Sequence, residues 1–169
     1  RMLRGDEVGV LLADALISKG IRGTYATTIV SSSLLGVIAA DHGLGYVETL
    51  TGFKWISRAA PDLVFGYEEA LGYAVAPDLV RDKDGIIAAL LVAERAAQLG
   101  GGSSLVRRLD ELAAAYGRYA TDQLSVRVAD LSLITAMMAR LRATPPGTLL
   151  GEPVTFTDIA PATDAVRLS

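Results

Sequence analysis

The sequence predicts an α/β fold: a three-layer α/β/α domain with a mostly parallel mixed sheet, followed by a C-terminal helical and strand extension. Three observations carry this. From Val8 to Leu99, apolar runs of strand length alternate with helical periodicities at short spacing, and that alternation builds an open sheet with helices on both faces. The chain has 169 residues, 51% of them apolar, which suits one packed domain with an appendage. Polar or glycine-containing loops follow or adjoin the predicted strands, and open α/β sheets bind ligands beyond their strand ends.

The elements follow in order. Val8 to Ile17 has apolar residues at helical spacing, with Asp6 placed to cap it and Gly20 to end it. Thr24 to Val30 is rich in β-branched residues and predicts a strand. Ser33 to Ala40 predicts a helix closed by Gly43, and Tyr46 to Leu50 a short strand. Phe53 to Ala59 predicts a helix stopped by Pro61, and Leu63 to Tyr67 another strand. Asp84 to Leu99 is a long helix opened by aspartate and ended by three glycines; Ser103 to Tyr119 is a second, capped by Ser103. Beyond it, Leu124, Val126 and Val128 alternate with polar partners, which predicts a half-exposed strand over Gln123 to Val128. Leu131 to Leu141 is a helix ended by Thr144-Pro145-Pro146-Gly147. The expected organisation is a domain over 1–142, its helical and strand extension starting near 101, and a linker over 143–169 leading toward a further domain.

Composition excludes several functions. With 16 basic and 19 acidic residues the net charge is −3 and no basic block exists, so nucleic acid is not an expected partner. There is no cysteine, hence no disulfide, thiol nucleophile or cysteine metal site. The single histidine, His42, reads as a helix-end residue, where a dipolar or cationic side chain suits the carbonyl terminus. The uncharged stretch from Gly23 to Ala40 has the length of a membrane span, but Thr24, Thr27, Thr28 and Ser31 to Ser33 interrupt it. A buried strand, a serine loop and a helix start explain it better, and no signal peptide is visible. No membrane partner and a cytoplasmic location are expected.

Three loops carry the chemistry: Thr51-Gly52-Phe53-Lys54-Trp55, Glu68-Glu69-Ala70-Leu71-Gly72 and Arg81-Asp82-Lys83-Asp84-Gly85. They offer amide donors, carboxylate acceptors and ammonium groups, the equipment for holding a polyhydroxylated, phosphorylated small molecule. None offers an obvious nucleophile. Consecutive residues on an extended chain point to opposite sides, so one of Glu68 and Glu69 faces a ligand while the other faces solvent or a structural partner. Gly66 and Gly72 flank the pair and imply a constrained backbone. Thr51-Gly52 ahead of a helix can present free amides to oxygen or phosphate, and Ser31 to Ser33 could do likewise. A bland alternative stands beside this: a non-catalytic α/β interaction module whose loops only cap helices and end strands.

Four motifs in order resemble the third domain of the α-D-phosphohexomutases, the phosphoglucomutase and phosphomannomutase superfamily. Leu3 to Gly9 resembles the segment after the family's metal-binding loop. Thr51 to Trp55 resembles its Thr-Gly-aromatic-Lys loop, Glu68 to Gly72 its sugar-binding Glu-Glu-Ser-x-Gly loop, and Arg81 to Gly85 its basic-acidic-Lys-Asp-Gly motif. The resemblance implies a sugar-recognition domain whose Thr51, Gly52, Lys54, Glu68 and Lys83 bind substrate, with no catalytic residue and no metal ligand in this chain. It implies a parent enzyme that interconverts hexose 1-phosphate and 6-phosphate through a bisphosphate, with Mg2+ and a hexose bisphosphate activator. Its partners would be the sugar phosphate and the remaining domains. Ala70 stands where many members carry serine, which leaves a phosphopentomutase as the alternative substrate class.

The family's serine, metal and Arg-Pro-Ser-Gly-Thr loops are not in the chain. The resemblance therefore suggests a fragment that is inactive alone and lacks a strand before Leu3, near the sheet centre. Filling that gap would require self-association or a substitute strand from Gln123 to Val128.

Overall fold

The computed structural model describes all 169 residues. They form two compact units, Arg1–Thr121 and Asp122–Ser169.

In the first unit, helix α1 (Gly5–Ser18) leads into strand β1 (Thr24–Thr28), helix α2 (Leu34–Asp41), strand β2 (Gly45–Thr49) and the single-turn helix α3 (Phe53–Ile56). Strands β3 (Leu63–Glu68) and β4 (Gly72–Ala74) form a hairpin, followed by helix α4 (Gly85–Leu99), a 3-10 turn at Gly100–Gly102, and helix α5 (Leu105–Tyr116). The sheet order is β2-β1-β3-β4. β1 runs parallel to both β2 and β3, while β4 is antiparallel to β3. The sheet is therefore mixed and mostly parallel, as the alternating pattern predicts.

Helices cover both faces. Leu12 and Leu16 of α1, Leu35 of α2 and Ala88 and Leu91 of α4 pack on Tyr25, Phe65, Tyr67 and Tyr73. Phe53 and Ile56 of α3 pack on the other face against Ala26, Leu63 and Ala74. Leu112 of α5 closes over Val10, Leu34 and Ile38. The aromatic row on the sheet is continuous, with ring centroids 5.9 Å apart from Tyr25 to Phe65 and 6.0 Å from Phe65 to Tyr67. Burial holds the hydroxyls of Tyr25 and Tyr73 neutral, pushing each pKa up to about 12. Both donate to carbonyls, Tyr25 to Ile21 and Tyr73 to Gly5, each at 3.0 Å.

Asp14 of α1 ties the helical layer together. Arg95 of α4 reaches it at 2.7 Å and Arg108 of α5 at 2.8 Å. Burial alone would raise the Asp14 pKa, but the two guanidiniums outweigh it and hold the carboxyl below its ordinary value.

The structure corrects several expectations. Asp6 does not cap α1. Arg4 occupies the cap position and Glu7 accepts its N–H at 2.9 Å, so the helix begins earlier than the apolar periodicity. Ser104, not Ser103, caps α5, accepting from Arg107 N–H at 3.1 Å. The β4 strand was not anticipated, because three residues are too few for an alternating pattern to register. Gln123 to Val128 is not a strand: it pairs with nothing in any sheet, and Leu124 and Val126 are exposed. Alternation supplies a face to bury but no partner. No gap exists inside the sheet either. β1 and β3 are each hydrogen-bonded on both sides, so no substitute strand is recruited.

The second unit contains helix α6 (Ser132–Ala143) and two small hairpins. One pairs β5 (Thr148–Leu149) with β6 (Glu152–Pro153), the other β7 (Phe156–Asp158) with β8 (Val166–Leu168). Arg142 clamps the second hairpin, reaching Asp158 at 3.1 Å and Asp164 at 2.7 Å. Residues 143–169, expected as a linker, thus carry short strands.

Candidate functional site

Because β1, β2 and β3 are parallel, their carboxyl ends lie along one edge. Thr28 pairs with Thr49 and Thr27 with Tyr67, so three loops leave the sheet at one level. Ser31 to Ser33 follow β1, Thr51-Gly52 follow β2, and Glu68-Glu69 end β3. This is the edge at which open α/β sheets bind ligands.

Glu68 and Lys83 meet here. Lys83 Nζ donates to Glu68 Oε2 at 3.3 Å, with the Glu68 side chain 11% exposed and the Lys83 side chain 52% exposed. The antiparallel turn brings this about, since Asp84 N–H donates to Tyr73 O at 2.9 Å and so ties the start of α4 to β4. Asp84 then caps α4, accepting from Ile86 N–H and Ile87 N–H at 3.0 and 2.9 Å. Lys83 also lies over the Phe53 ring, 5.4 Å from its centroid, which joins the Thr51–Trp55 loop to the pair. The three loops singled out from the sequence therefore converge through Phe53, Lys83 and Glu68.

Close packing fixes the pair. A Cβ on Gly72 would stand 2.6 Å from Lys83 Cδ and 2.9 Å from Glu68 Oε2, so only glycine leaves room for both side chains. Gly66 is equally constrained, since a Cβ there would stand 2.3 Å from Ile56 Cγ2 and push α3 off the sheet. The sequence expectation of a constrained backbone around the two glutamates is corrected here: neither Gly66 nor Gly72 has a positive φ, and what both positions lack is room for a side chain.

Other predicted residues fall differently. Thr51 is exposed, and Gly52 has φ 115° at the start of α3. α3 has only four residues, so Thr51-Gly52 offers backbone amides without a substantial helix dipole behind them. Lys54 is exposed and its ammonium lies over its neighbour Trp55, 5.3 Å from the ring centroid, rather than beside Glu68. His42 ends α2 as expected, near the Tyr116 hydroxyl.

The sequence reading missed two clusters. Glu69 Oε2 accepts from Thr28 Oγ1 and from Ser31 Oγ, each at 3.2 Å. Asp6, buried in the first turn of α1, accepts from Ser32 N–H at 2.8 Å and from the Tyr67 hydroxyl at 3.0 Å. It also accepts from Thr121 Oγ1 at 2.7 Å. The signal for the first cluster was the hydroxyl run at the end of β1; for the second, an aspartate ahead of an apolar helix is ambiguous between cap and buried hub. A cavity of about 610 Å³ lies elsewhere, walled by Arg4, Asp6, Leu34, Asp110 and Tyr119. None of Thr51, Gly52, Lys54, Glu68 and Lys83 lines it. The strand-end edge remains the better candidate, because a carboxylate with open acceptor positions and a half-exposed ammonium meet there.

No group of three or more His, Asp or Glu side chains comes together in a way that could hold a metal ion. The groups present at the edge are a carboxylate, which accepts from hydroxyl donors, and an ammonium and backbone amides, which suit anionic oxygens. No helix is long and apolar enough to cross a membrane.

Comparison with known proteins agrees with this fold. Residues 4–119 match the family described as phosphoglucomutase/phosphomannomutase, alpha/beta/alpha domain III. A probable phosphomannomutase of Haemophilus influenzae is 43% identical over 154 residues, covering 89% of this chain and 32% of that protein. A human phosphopentomutase is 34% identical over 160 residues, covering 84% of this chain and 26% of its own length. The open form of the Paramecium phosphoprotein pp63/parafusin, a phosphoglucomutase, has the same fold, with a TM-score of 0.68 at 22% identity over 99% of this chain and 31% of that one. The chain spans about a quarter to a third of the length of these two relatives. It belongs to the phosphoglucomutase/phosphomannomutase family, and residues 4–119 are its α/β/α domain III.

Proposed function

We propose that this chain is the sugar-recognition domain of a mutase that interconverts hexose 1-phosphate and hexose 6-phosphate by way of a bisphosphate. The observation that carries the reading is Glu68 beside Lys83 at the carboxyl edge of the parallel strands, 3.3 Å apart. A carboxylate has about four acceptor positions, and Lys83 occupies one. The remaining positions suit two adjacent sugar hydroxyls. Lys83, half exposed, supplies positive charge to a phosphate, and Thr51 and Gly52 line the same edge. Lys54 contributes charge at the rim, once it leaves Trp55.

Magnesium and a bisphosphate activator belong to the complete enzyme in this reading, and residues outside this chain hold the metal. Within the chain, Glu68 orients the sugar and Lys83 holds its anionic end; the phosphoryl donor is supplied by another segment, as this edge presents no activated nucleophile. A cytoplasmic site of action fits the same proposal.

A pentose phosphate is the second reading. Ala70 cannot offer the hydroxyl that serine would, and phosphopentomutases are among the relatives.

The test is turnover of the complete protein on glucose 1-phosphate, mannose 1-phosphate and ribose 1-phosphate, each with magnesium and glucose 1,6-bisphosphate. Conversion of a hexose phosphate supports the first reading, and exclusive conversion of ribose 1-phosphate the second. The 169-residue chain alone should give no turnover; turnover above background by it would contradict the assignment of recognition without chemistry. Failure of all three substrates would leave the interaction-module alternative.

A further inference from the structure

We propose that Glu69 is the positioning residue for Glu68: its carboxylate ties the end of β3 to the loop after β1, so that Glu68 is held on the Lys83 side of the strand. The inference rests on the sugar-site reading above and deepens it.

The two glutamates are consecutive, Glu68 closing β3 and Glu69 opening the turn, and their side chains go to different partners. Glu68 goes to Lys83 at 3.3 Å. Glu69 goes the other way and is half-buried, accepting from Thr28 Oγ1 and Ser31 Oγ at 3.2 Å each. Its own N–H donates to Ser31 Oγ at 3.3 Å, so side chain and backbone are both held by the same serine. Thr28 and Ser31 are themselves 2.8 Å apart.

This arrangement matters because the chain reverses immediately afterwards. Glu68 pairs with Gly72, leaving only Glu69, Ala70 and Leu71 in the turn. Leu71 has φ 65°, a left-handed region that a leucine enters only at a cost. Without the Glu69 anchor, rotation about the end of β3 relieves that turn and carries Glu68 away from Lys83. Ser31 is fixed in turn, because the next residue, Ser32, donates its N–H to the buried Asp6 at 2.8 Å. The same Asp6 receives the Tyr67 hydroxyl, one residue before Glu68. Glu69 is thus the last member of a network that brackets Glu68 from both sides.

A residue that acts only through another shows a specific kinetic pattern. In the complete enzyme with glucose 1-phosphate as substrate, Glu69→Ala should lower kcat/KM roughly tenfold, the order of one hydrogen bond to a charged group. Its split between KM and kcat should match that of Glu68→Gln. In a Glu68→Gln background, Glu69→Ala should cost less than about twofold, because the residue it positions is already impaired. Glu69→Gln keeps an acceptor oxygen for the two hydroxyls and should recover to within roughly threefold of the parent. If Glu69→Ala folds poorly, Ser31→Ala removes the anchor from the other side and should give the same KM and kcat pattern.

Additive losses in the double variant would overturn the proposal, since they would mean that Glu69 meets the ligand itself or acts on the fold as a whole. A Glu69→Ala enzyme with unchanged kcat/KM beside an impaired Glu68→Gln enzyme would overturn the positioning role and leave the sugar site standing. An unimpaired Glu68→Gln enzyme would overturn both.

Discussion

Gly72→Ala separates the candidate site from the fold that carries it. Gly72 is the first residue of β4 and is not among the glycines with positive φ, so alanine meets no backbone penalty there. The cost is local. The new Cβ would stand 2.6 Å from Lys83 Cδ and 2.9 Å from Glu68 Oε2. Ordinary contact between carbon atoms is about 3.5–4.0 Å, so the Lys83 stem must move by roughly 1 Å. Both atoms belong to side chains that can rotate, and an off-rotamer side chain costs about 0.5–1.5 kcal/mol. At about 2–4 °C per kcal/mol for a chain of this size, Tm should fall by roughly 1–6 °C. The effect on recognition should be larger. A reacting or binding group displaced by about 1 Å can cost on the order of 100-fold, and losing one charged hydrogen bond about 10–100-fold. The assay pairs a thermal melt of the variant with kcat/KM of the complete enzyme on glucose 1-phosphate. A melt within this range with at least a roughly tenfold loss of kcat/KM bears the reasoning out. An unchanged kcat/KM would refute it, because Glu68 and Lys83 cannot both hold their positions beside that Cβ.

Other outcomes follow from the same structure. Asp84→Ala removes the oxygen that accepts from Ile86 and Ile87 N–H, and should cost about 0.5–2 kcal/mol in chemical denaturation. Lys83→Ala should raise the KM for glucose 1-phosphate, with an effect that shrinks in high salt, because its role is mainly Coulombic and half exposed. Asp14 gives a pH dependence of known sign. Its folded pKa is depressed by Arg108 and Arg95, so its stabilisation is present above the unfolded value of about 3.9 and is lost as pH falls through the folded value. Acid titration of stability should show this loss, and Asp14→Asn should be less stable at neutral pH with a flatter acid limb.

Much of this molecule was legible in its sequence, for physical reasons that can be named. Apart from β4, the order of strands and helices up to Leu99 followed from apolar periodicity, and the Asp84 cap followed from an aspartate ahead of a long helical pattern. The three candidate-site loops were legible because they combine glycine with charge, two of them at strand ends and one at the start of α4. What lay hidden depended on partners distant in sequence. Asp6 looks like a cap until Ser32, Tyr67 and Thr121 come to it from 26, 61 and 115 residues away. Lys54 and Lys83 look alike in the sequence, but Lys83 is carried to Glu68 by the β4 pairing, whereas Lys54 settles over Trp55. β4 itself is only three residues long, and its pairing with β3 specifies it more than its composition does. The alternation over Gln123 to Val128 misled because it describes a face, and a strand also needs an edge to join.

Recognition of a sugar phosphate by Glu68 and Lys83 at the carboxyl edge of the sheet is tested most directly by a crystal structure of the complete protein soaked with glucose 1-phosphate, read as the distances from the Glu68 carboxylate to the sugar hydroxyls. Two adjacent hydroxyls should lie within about 2.5–3.0 Å of the Glu68 oxygens, with Lys83 alongside. A sugar phosphate bound in the complete protein with no hydroxyl within hydrogen-bond reach of Glu68 would contradict it.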